Sequence, residues 1–379
     1  MRIWYALGVA MKPYISRIII ALSCTLFLVS CGSGNRDASI AQIIVRHDEY
    51  IDAMKQIETK NLSVSDDLVL SVPELVVSGE YICADDYQKN AEKIFSHYVS
   101  AYDAENMTMD PSYYPPGPDY FDPATGLSMS VGSNGFFSYM TKGFSPEEVF
   151  GKSENQLVKT YPFEELDSRD HYVLVEGDDV SVADARRLVQ GFSNDYVEAS
   201  GFGNGLRVLR INLYRNDSGY YYEVDLSQTV DGVPVLAYHP VYGDAKIVVP
   251  SSFAYVMGDG INDFAVNSLF EPYRTDEADQ IINPVDAMGE VSEYLDEETD
   301  LELTRVSLEL CMIGKGNLNT AWPQETSDAG IVIEPTFHSN DLYEAAPCWI
   351  FYFDETVGKE VYACCNALTG EISFVNNGQ

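Results

Sequence analysis

Four segments of the chain carry apolar residues at the spacing of an amphipathic helix, in which positions i, i+3 and i+4 share one face. In the first of them, Ile40, Ile43 and Met54 recur at that spacing. Residues of the Asp, Ser and Asn type stand before the other three segments, where they can cap a helix. The predicted helices cover residues 38–57, 85–98, 181–192 and 283–295.

Short apolar runs between and after these helices end at Gly, Pro, Asn and Asp residues, which is typical of strands joined by tight turns. In the second half of the chain the order helix, strand, strand, strand occurs twice, over residues 180–275 and 276–379. The segment Asn366 to Ile372 predicts the turn of the final hairpin. The strand-like runs are 68–72, 75–77, 206–213, 220–226, 301–312, 348–353 and 360–365.

The repeated order predicts an α+β fold made of tandem units, each a helix packed on an antiparallel sheet. A long polar insertion, residues 314–343, interrupts the second unit and is expected to form a surface loop or flap. The predicted division of the chain is a signal peptide at 1–30, a flexible tether at 31–37, an N-terminal α+β domain at 38–175, a first unit at 176–275 and a second unit at 276–379.

The start of the chain has the parts of a secretory signal. A positively charged segment precedes Ile18 to Val29, an apolar stretch too short to span a bilayer. Leu28-Val29-Ser30-Cys31 then resembles the lipobox of bacterial lipoprotein precursors. We therefore expect cleavage before Cys31 and a diacylglyceryl lipid on its thiol, which would hold the protein on the extracytoplasmic face of the cell membrane. Translation starting at Met1 and translation starting at Met11 stay open as alternatives.

The charge of the chain limits its partners. The sequence has 59 Asp and Glu residues against 23 Lys and Arg residues, for a formal net charge of −36. So acidic a surface repels nucleic acid and anionic lipid headgroups. We therefore expect no nucleic-acid partner, and we expect membrane contact to come from the lipid on Cys31.

Recognisable catalytic motifs are missing from the sequence. The five histidines form no HExxH and no paired zinc spacing, and there is no GxSxG elbow, Walker loop or dinucleotide fingerprint. The cysteines beyond the lipobox are expected to be buried small hydrophobic side chains, with a disulfide between Cys311 and Cys348 as the alternative. No catalytic residue, cofactor site or metal ligand is predicted. These cysteines are Cys83, Cys311, Cys348, Cys364 and Cys365.

A loop rich in proline and tyrosine, residues 111–121, is the candidate contact surface. Exposed aromatic side chains dominate binding hot spots, although the aromatics of such a loop can instead pack back on their own domain. The candidate partner-binding residues are Tyr113, Tyr114, Tyr120 and Phe121.

Three stretches of the second half resemble the PepSY-like and YycH/YycI-like modules of bacterial envelope proteins. They are Asn283-Pro284-Val285-Asp286-Ala287, the strand and TGE hairpin of Val361 to Ile372, and Tyr222 to Val235 with its DGVPV turn. The layout is similar to Gram-positive lipoproteins that carry such modules, over about Val180 to Gln379. The resemblance implies binding, inhibition or accessory signalling, and it implies no catalytic residue.

Together these observations predict a membrane-anchored extracytoplasmic lipoprotein that acts as a non-enzymatic binding or regulatory module of the cell envelope. Its expected partner is an envelope protein or polymer. Two alternatives stay open. One is a solute-binding lipoprotein of a transporter, which would need two lobes with parallel sheets. The other is a cryptic hydrolase of envelope polymers.

Overall fold

The computed structural model of the protein describes most of the chain after residue 35. The predicted signal peptide, Cys31, the candidate residues Tyr113 and Tyr114, and nearly all of the 314–343 insertion lie outside the described residues. The description runs from residue 36 to residue 376, with gaps at 58, 60, 84–89, 111–116, 133–134, 142–154, 176, 178, 237–246, 249–251, 259, 267–268, 296–300, 315–341 and 354–360.

Five α-helices lie in the described part of the chain. Ser39, Ser181 and Asn283 cap three of them by accepting backbone N–H donors of the first turn, as their side-chain oxygens suit them to do. None of the described helices is long and apolar enough to cross a membrane. The helices are α1 Ile40–Val45, α2 His47–Lys55, α3 Ala91–Tyr98, α4 Val182–Ser200 and α5 Pro284–Tyr294.

Most of the described residues lie in strands, which alternate apolar and polar positions where one face of a sheet is buried. The strands are β1 Asp37–Ala38, β2 Leu62–Ser71, β3 Val77–Cys83, β4 Met107–Asp110, β5 Gly117–Phe121, β6 Ser128–Val131, β7 Phe137–Met140, β8 Gln156–Tyr161, β9 His171–Val173, β10 Asp179–Ser181, β11 Gly205–Asn216, β12 Gly219–Val230, β13 Val233–Pro234, β14 Ile247–Val248, β15 Ser252–Met257, β16 Gly260–Val266, β17 Phe270–Glu277, β18 Ile281–Ile282, β19 Leu301–Gly314, β20 Leu342–Phe353, β21 Val361–Asn366 and β22 Ile372–Asn376.

The first of two large sheets has ten described strands in the order β4-β5-β6-β7-β16-β15-β12-β11-β8, with β13 paired to β12. All of its described pairings are antiparallel. Helices α3 and α4 cover one face, and the apolar side chains between helices and sheet form one core with buried aromatics such as Phe95, Tyr196 and Phe264. Burial of this apolar face is the main stabilising term for the sheet.

The second large sheet has eight described strands, ordered β14-β19-β20-β21-β22 with β2, β3 and β17 added at its side. Strand β2 pairs with β19 in parallel, and the other pairings are antiparallel. Helices α1, α2 and α5 contribute to the core on one face, around the fully buried Trp349, whose indole N–H donates to the carbonyl oxygen of Ile282 at 2.7 Å.

The two sheets meet through a smaller apolar cluster that includes Val230, Phe270, Leu310 and Tyr343. A β-bulge between Val208 and Arg210 in β11 lets Leu209 leave the core of the first sheet. Leu209 packs instead among the cysteines and aromatics on the second sheet. Side chains of each sheet therefore help to bury the other.

The prediction of tandem helix-on-sheet α+β units is wrong. The protein is mostly β, and its helices lie on two large sheets that draw strands from distant parts of the chain. Strands from the segment predicted as an N-terminal domain, residues 38–175, complete both sheets: β4 to β8 join the first, and β2 and β3 join the second. The order of hairpins along the sequence does not predict these long-range strand pairings.

The last two residues of the predicted tether are docked on the second core. Asp37 and Ala38 form strand β1, which pairs with Ile282 and Ile281 of β18. The carbonyl oxygen of Arg36 accepts from the backbone N–H of Asn283 at 2.9 Å. Within the described residues, the chain is therefore attached to the second core from Arg36 onward.

Candidate functional site

The face of the first sheet opposite its helices carries charged and aromatic side chains where a buried sheet would carry aliphatic ones. Successive residues of a strand point to opposite faces, so the residues next to the core positions of β11, β12, β15 and β16 lie on this side. We call it the carboxylate–tyrosine face. It consists of Arg210, Asn212, Tyr214, Tyr221, Glu223, Asp225, Phe253, Tyr255 and Asp263.

One row of the carboxylate–tyrosine face crosses five neighbouring strands in register. Thr160 lies opposite Asn212, Asn212 opposite Glu223, Glu223 opposite Tyr255, and Tyr255 opposite Asp263. The Thr160 hydroxyl donates to Asn212 Oδ1 at 3.0 Å. With strands about 4.8 Å apart, the backbones of Glu223 and Asp263 are about 10 Å apart, with the ring of Tyr255 between them.

The tyrosines of the face form a continuous aromatic group. The rings of Tyr214 and Tyr221 stack with centroids 5.3 Å apart and planes inclined by 8°. Tyr221 meets Tyr255 edge-on at 6.2 Å, and Tyr255 meets Phe253 at 5.3 Å. Burial raises the pKa of all three tyrosines above its ordinary value, so their hydroxyls stay protonated at neutral pH.

The face carries both an ion pair and further acidic side chains. Arg210 Nε donates to Asp225 Oδ2 at 2.6 Å, so these two half-buried side chains form an ion pair. Glu223 hydrogen-bonds with the hydroxyl of Tyr214. Among the nine side chains that define the face, Asp225, Glu223 and Asp263 are acidic and Arg210 is basic, so acidic groups outnumber basic ones.

Asp263 is the most unusual side chain of the face, because it is a carboxyl with only 5% of its surface exposed. Burial raises its pKa to about 6, against an ordinary value of 3.8, and the backbone hydrogen bond from Phe264 offsets part of this effect. A carboxyl in this state changes charge near neutral pH. Perturbed pKa values of this kind concentrate at functional sites, although structural groups show them too.

The arrangement is suited to holding a cation. A lysine ammonium or an arginine guanidinium is attracted to the face of a tyrosine ring, and the attraction grows when the site is partly desolvated. Adjacent carboxylates add charge-assisted hydrogen bonds. The half-buried state of Tyr214, Glu223 and Tyr255 leaves part of each side chain open to such a group.

The aromatic residues of the loop predicted as the contact surface differ in their exposure. Tyr120 is only 1% exposed, and its ring stacks on Tyr102 at 5.2 Å and packs against Phe95, so it is a core residue and not a surface contact. The neighbouring Phe121 points the other way and is 54% exposed. Tyr113 and Tyr114 lie outside the described residues. The strict alternation of strand β5 explains why adjacent aromatics have opposite environments.

Cys311, Cys348, Cys364 and Cys365 lie in the second sheet as buried free thiols. Cys311 and Cys348 are diagonal neighbours on β19 and β20, because Cys311 lies opposite Ala346 and Cys348 lies opposite Glu309. The Cα atoms of diagonal neighbours are about 7–8 Å apart, which is beyond the usual range for a disulfide. A hydrogen bond with Cys311 and burial raise the pKa of Cys348, which suppresses the reactive thiolate. The disulfide alternative is therefore not realised in this structure.

Glu309, which the sequence reasoning did not select, is buried beside these thiols. It is 1% exposed, and its Oε1 accepts from the hydroxyl of Tyr352 at 2.9 Å. Within the described residues its second oxygen has no hydrogen-bond partner. In the same part of the chain, no group of three or more His, Cys, Asp or Glu residues is placed to hold a metal ion.

The carboxylate–tyrosine face was also missed, although the sequence contains its signal. Tyr221, Glu223 and Asp225 alternate with apolar residues, and so do Phe253 and Tyr255. Alternation indicates a half-buried strand. It does not reveal which strands are neighbours, and the site exists only because four strands bring these positions side by side.

Comparison with known proteins gives the fold and no function. No family model matches the chain, and no curated protein matches it. The structure is similar to the crystal structure of an uncharacterized protein from Eubacterium rectale, with a TM-score of 0.52 and 15% sequence identity over 86% of this chain and 98% of that one. At that identity the likeness concerns the fold alone.

Proposed function

We propose that the protein is an extracytoplasmic lipoprotein, anchored through Cys31, that binds a cationic segment of an envelope protein or polymer on the carboxylate–tyrosine face. The lipobox-like sequence before Cys31 supports the anchor. The binding role rests on one observation above all: Glu223 and Asp263 flank the ring of Tyr255 in a single row of the sheet. The role proposed is non-enzymatic.

A basic partner matches this protein in charge and in local contacts. The whole chain is strongly acidic, so a basic partner is attracted from a distance, and this attraction weakens as salt screens it. Long-range attraction alone gives no specificity. Specific binding requires local contacts, and the ring of Tyr255 between the two carboxylates and the neighbouring stacked rings of Tyr214 and Tyr221 supply them.

One observation favours a second candidate function, a hydrolase of envelope polymers. Asp263 has a pKa of about 6 and shares its row with Glu223, and a carboxyl that keeps its proton in weakly acidic solution can serve as a general acid there. This candidate predicts slow release of soluble fragments from cell-wall material. It further predicts that Asp263→Asn abolishes the release while leaving binding of the same material intact.

The binding proposal is tested by calorimetric titration of the mature protein with a synthetic peptide of alternating lysine and glycine. A peptide with glutamine in place of lysine serves as the neutral control. The double variant Glu223→Gln/Asp263→Asn removes both carboxylates of the row without changing their shape. We expect it to weaken lysine-peptide binding by about tenfold or more, which corresponds to about 1.4 kcal/mol.

The matched control is Asp66→Asn/Asp67→Asn, which removes the same number of charges from exposed positions of β2 in the second sheet. The proposal requires this control to bind nearly as well as the unmodified protein. If both double variants lose affinity equally, the attraction comes from overall charge and the carboxylate–tyrosine face is not a binding site.

A further inference from the structure

The first described residues tie the chain firmly to one place on the second core. Arg36 Nη2 donates to Glu290 Oε1 of α5 at 2.9 Å, and the carbonyl oxygen of Arg36 also accepts from the side-chain amide of Asn283 at 3.1 Å. Ala38 is buried in the core. Arg36 also lies against the turn after β21, where a Cβ added to Gly370 would come within 2.7 Å of its guanidinium.

This attachment limits how far the protein can move from a lipid on Cys31. Five peptide steps separate Cys31 from Arg36, and a fully extended chain covers at most about 3.6 Å for each, or about 18 Å in all. That reach is smaller than the diameter of a small domain, about 30 Å. A lipidated protein would therefore present the surface around Arg36 to the bilayer.

We propose that this surface, formed by the outer side of α5 and the turn between β21 and β22, rests on the headgroups of the membrane that holds the Cys31 lipid. The inference rests on the lipid anchor of the proposed function. These two elements carry two exposed apolar side chains: Tyr294, one turn beyond Glu290 on α5 and 58% exposed, and Leu368, in the turn with Gly370 and 44% exposed.

The short tether, and not electrostatic attraction, brings this surface to the membrane. The net charge of −36 gives the unlipidated chain no attraction for anionic headgroups. Once the anchor supplies proximity, a tyrosine at the headgroup level and a leucine at its edge are favourably placed, because amphipathic rings and apolar side chains partition into the interface. The orientation leaves the first sheet free to meet its partner.

The experiment uses the lipidated full-length mature protein on phosphatidylcholine vesicles that contain a nitroxide headgroup lipid as quencher. Dansylalanine is introduced, one position at a time, in place of Leu368, Tyr294 or Val173. Val173 is an exposed apolar residue of β9, beside the first sheet. We expect quenching at positions 368 and 294 to be at least twofold stronger than at position 173.

The control variant carries about twenty Gly and Ser residues inserted between Asn35 and Arg36. Such a linker has a root-mean-square span of about 25 Å and a far greater full reach, so the difference between the three positions should disappear. A protein that does not float with the vesicles would refute the lipid anchor itself. A protein that floats, but shows equal quenching at all three positions, would overturn the proposed orientation while leaving the anchor intact.

Discussion

The buried carboxyl of Asp263 makes folding stability depend on pH in a defined direction. Its pKa is about 6 in the folded protein, whereas an exposed aspartate has 3.8. Between these two values the folded chain holds a proton that the unfolded chain has lost, so stability falls as pH rises. At about 1.4 kcal/mol per pH unit, the full loss amounts to about 3 kcal/mol and is complete above pH 7.

Asp263→Asn keeps the side chain neutral at every pH and should remove this loss. Unfolding of the unmodified protein and the variant by urea, followed by circular dichroism, gives the free energy of unfolding at pH 4.5 and at pH 7.5. From pH 4.5 to pH 7.5, the free energy of unfolding of the variant should rise by about 2 kcal/mol relative to that of the unmodified protein. Asp217→Asn, in the exposed turn between β11 and β12, controls for the loss of one negative charge.

A stability difference between Asp263→Asn and the unmodified protein that stays constant, within about 0.5 kcal/mol, from pH 4.5 to pH 7.5 would refute a raised pKa at Asp263. That result would mean that water reaches the carboxyl. A similar pH-dependent gain in Asp217→Asn would instead assign the effect to the overall negative charge of the protein.

Three further perturbations test other parts of the structure. Gly370 has φ of +79°, and a side chain there would also press on Arg36. Gly370→Val should therefore lower the free energy of unfolding by about 1 kcal/mol or more, and an unchanged urea midpoint would refute this. Tyr120→Ala should cost about 3–5 kcal/mol, whereas Phe121→Ala should cost less than about 1 kcal/mol, and a reversed order in thermal melts would show that the two rings are misassigned. Cys31→Ala should abolish the diacylglyceryl mass and the membrane partitioning seen by mass spectrometry and flotation; a protein retained on membranes to the same extent would argue against the anchor.

Local elements of the fold were predictable from local signals. Ser181 and Asn283 cap helices where the sequence places them, and the predicted turn at Gly370 joins β21 to β22 with the positive φ expected of glycine. The turn at Asp231 and Gly232 also has positive φ at both residues, as a two-residue hairpin requires. These features depend on a few neighbouring residues, so sequence is enough to find them.

Long-range pairing was not predictable in the same way. Strand β2 near the start of the described chain pairs in parallel with β19 near its end, and β7 lies beside β16 in the first sheet. No local sequence pattern predicts which strands will pair with one another in a sheet. The tandem-unit fold failed for this reason, and the carboxylate–tyrosine face became visible only when the neighbours of Glu223 were known. The surface role of Tyr120 failed for a local reason, because alternation along β5 places Tyr120 in the core and Phe121 outside it.

The location of cation binding is the central claim, and a fluorine probe tests it most directly. Trifluoromethylphenylalanine is placed at Tyr214 on the carboxylate–tyrosine face or at Tyr273, an exposed position on β17 of the second sheet. Each protein is titrated with the lysine and glycine peptide while the ¹⁹F signal is recorded. The account predicts a saturable shift at position 214 and no shift at position 273. A shift at position 273 with an unchanged signal at position 214 would contradict it.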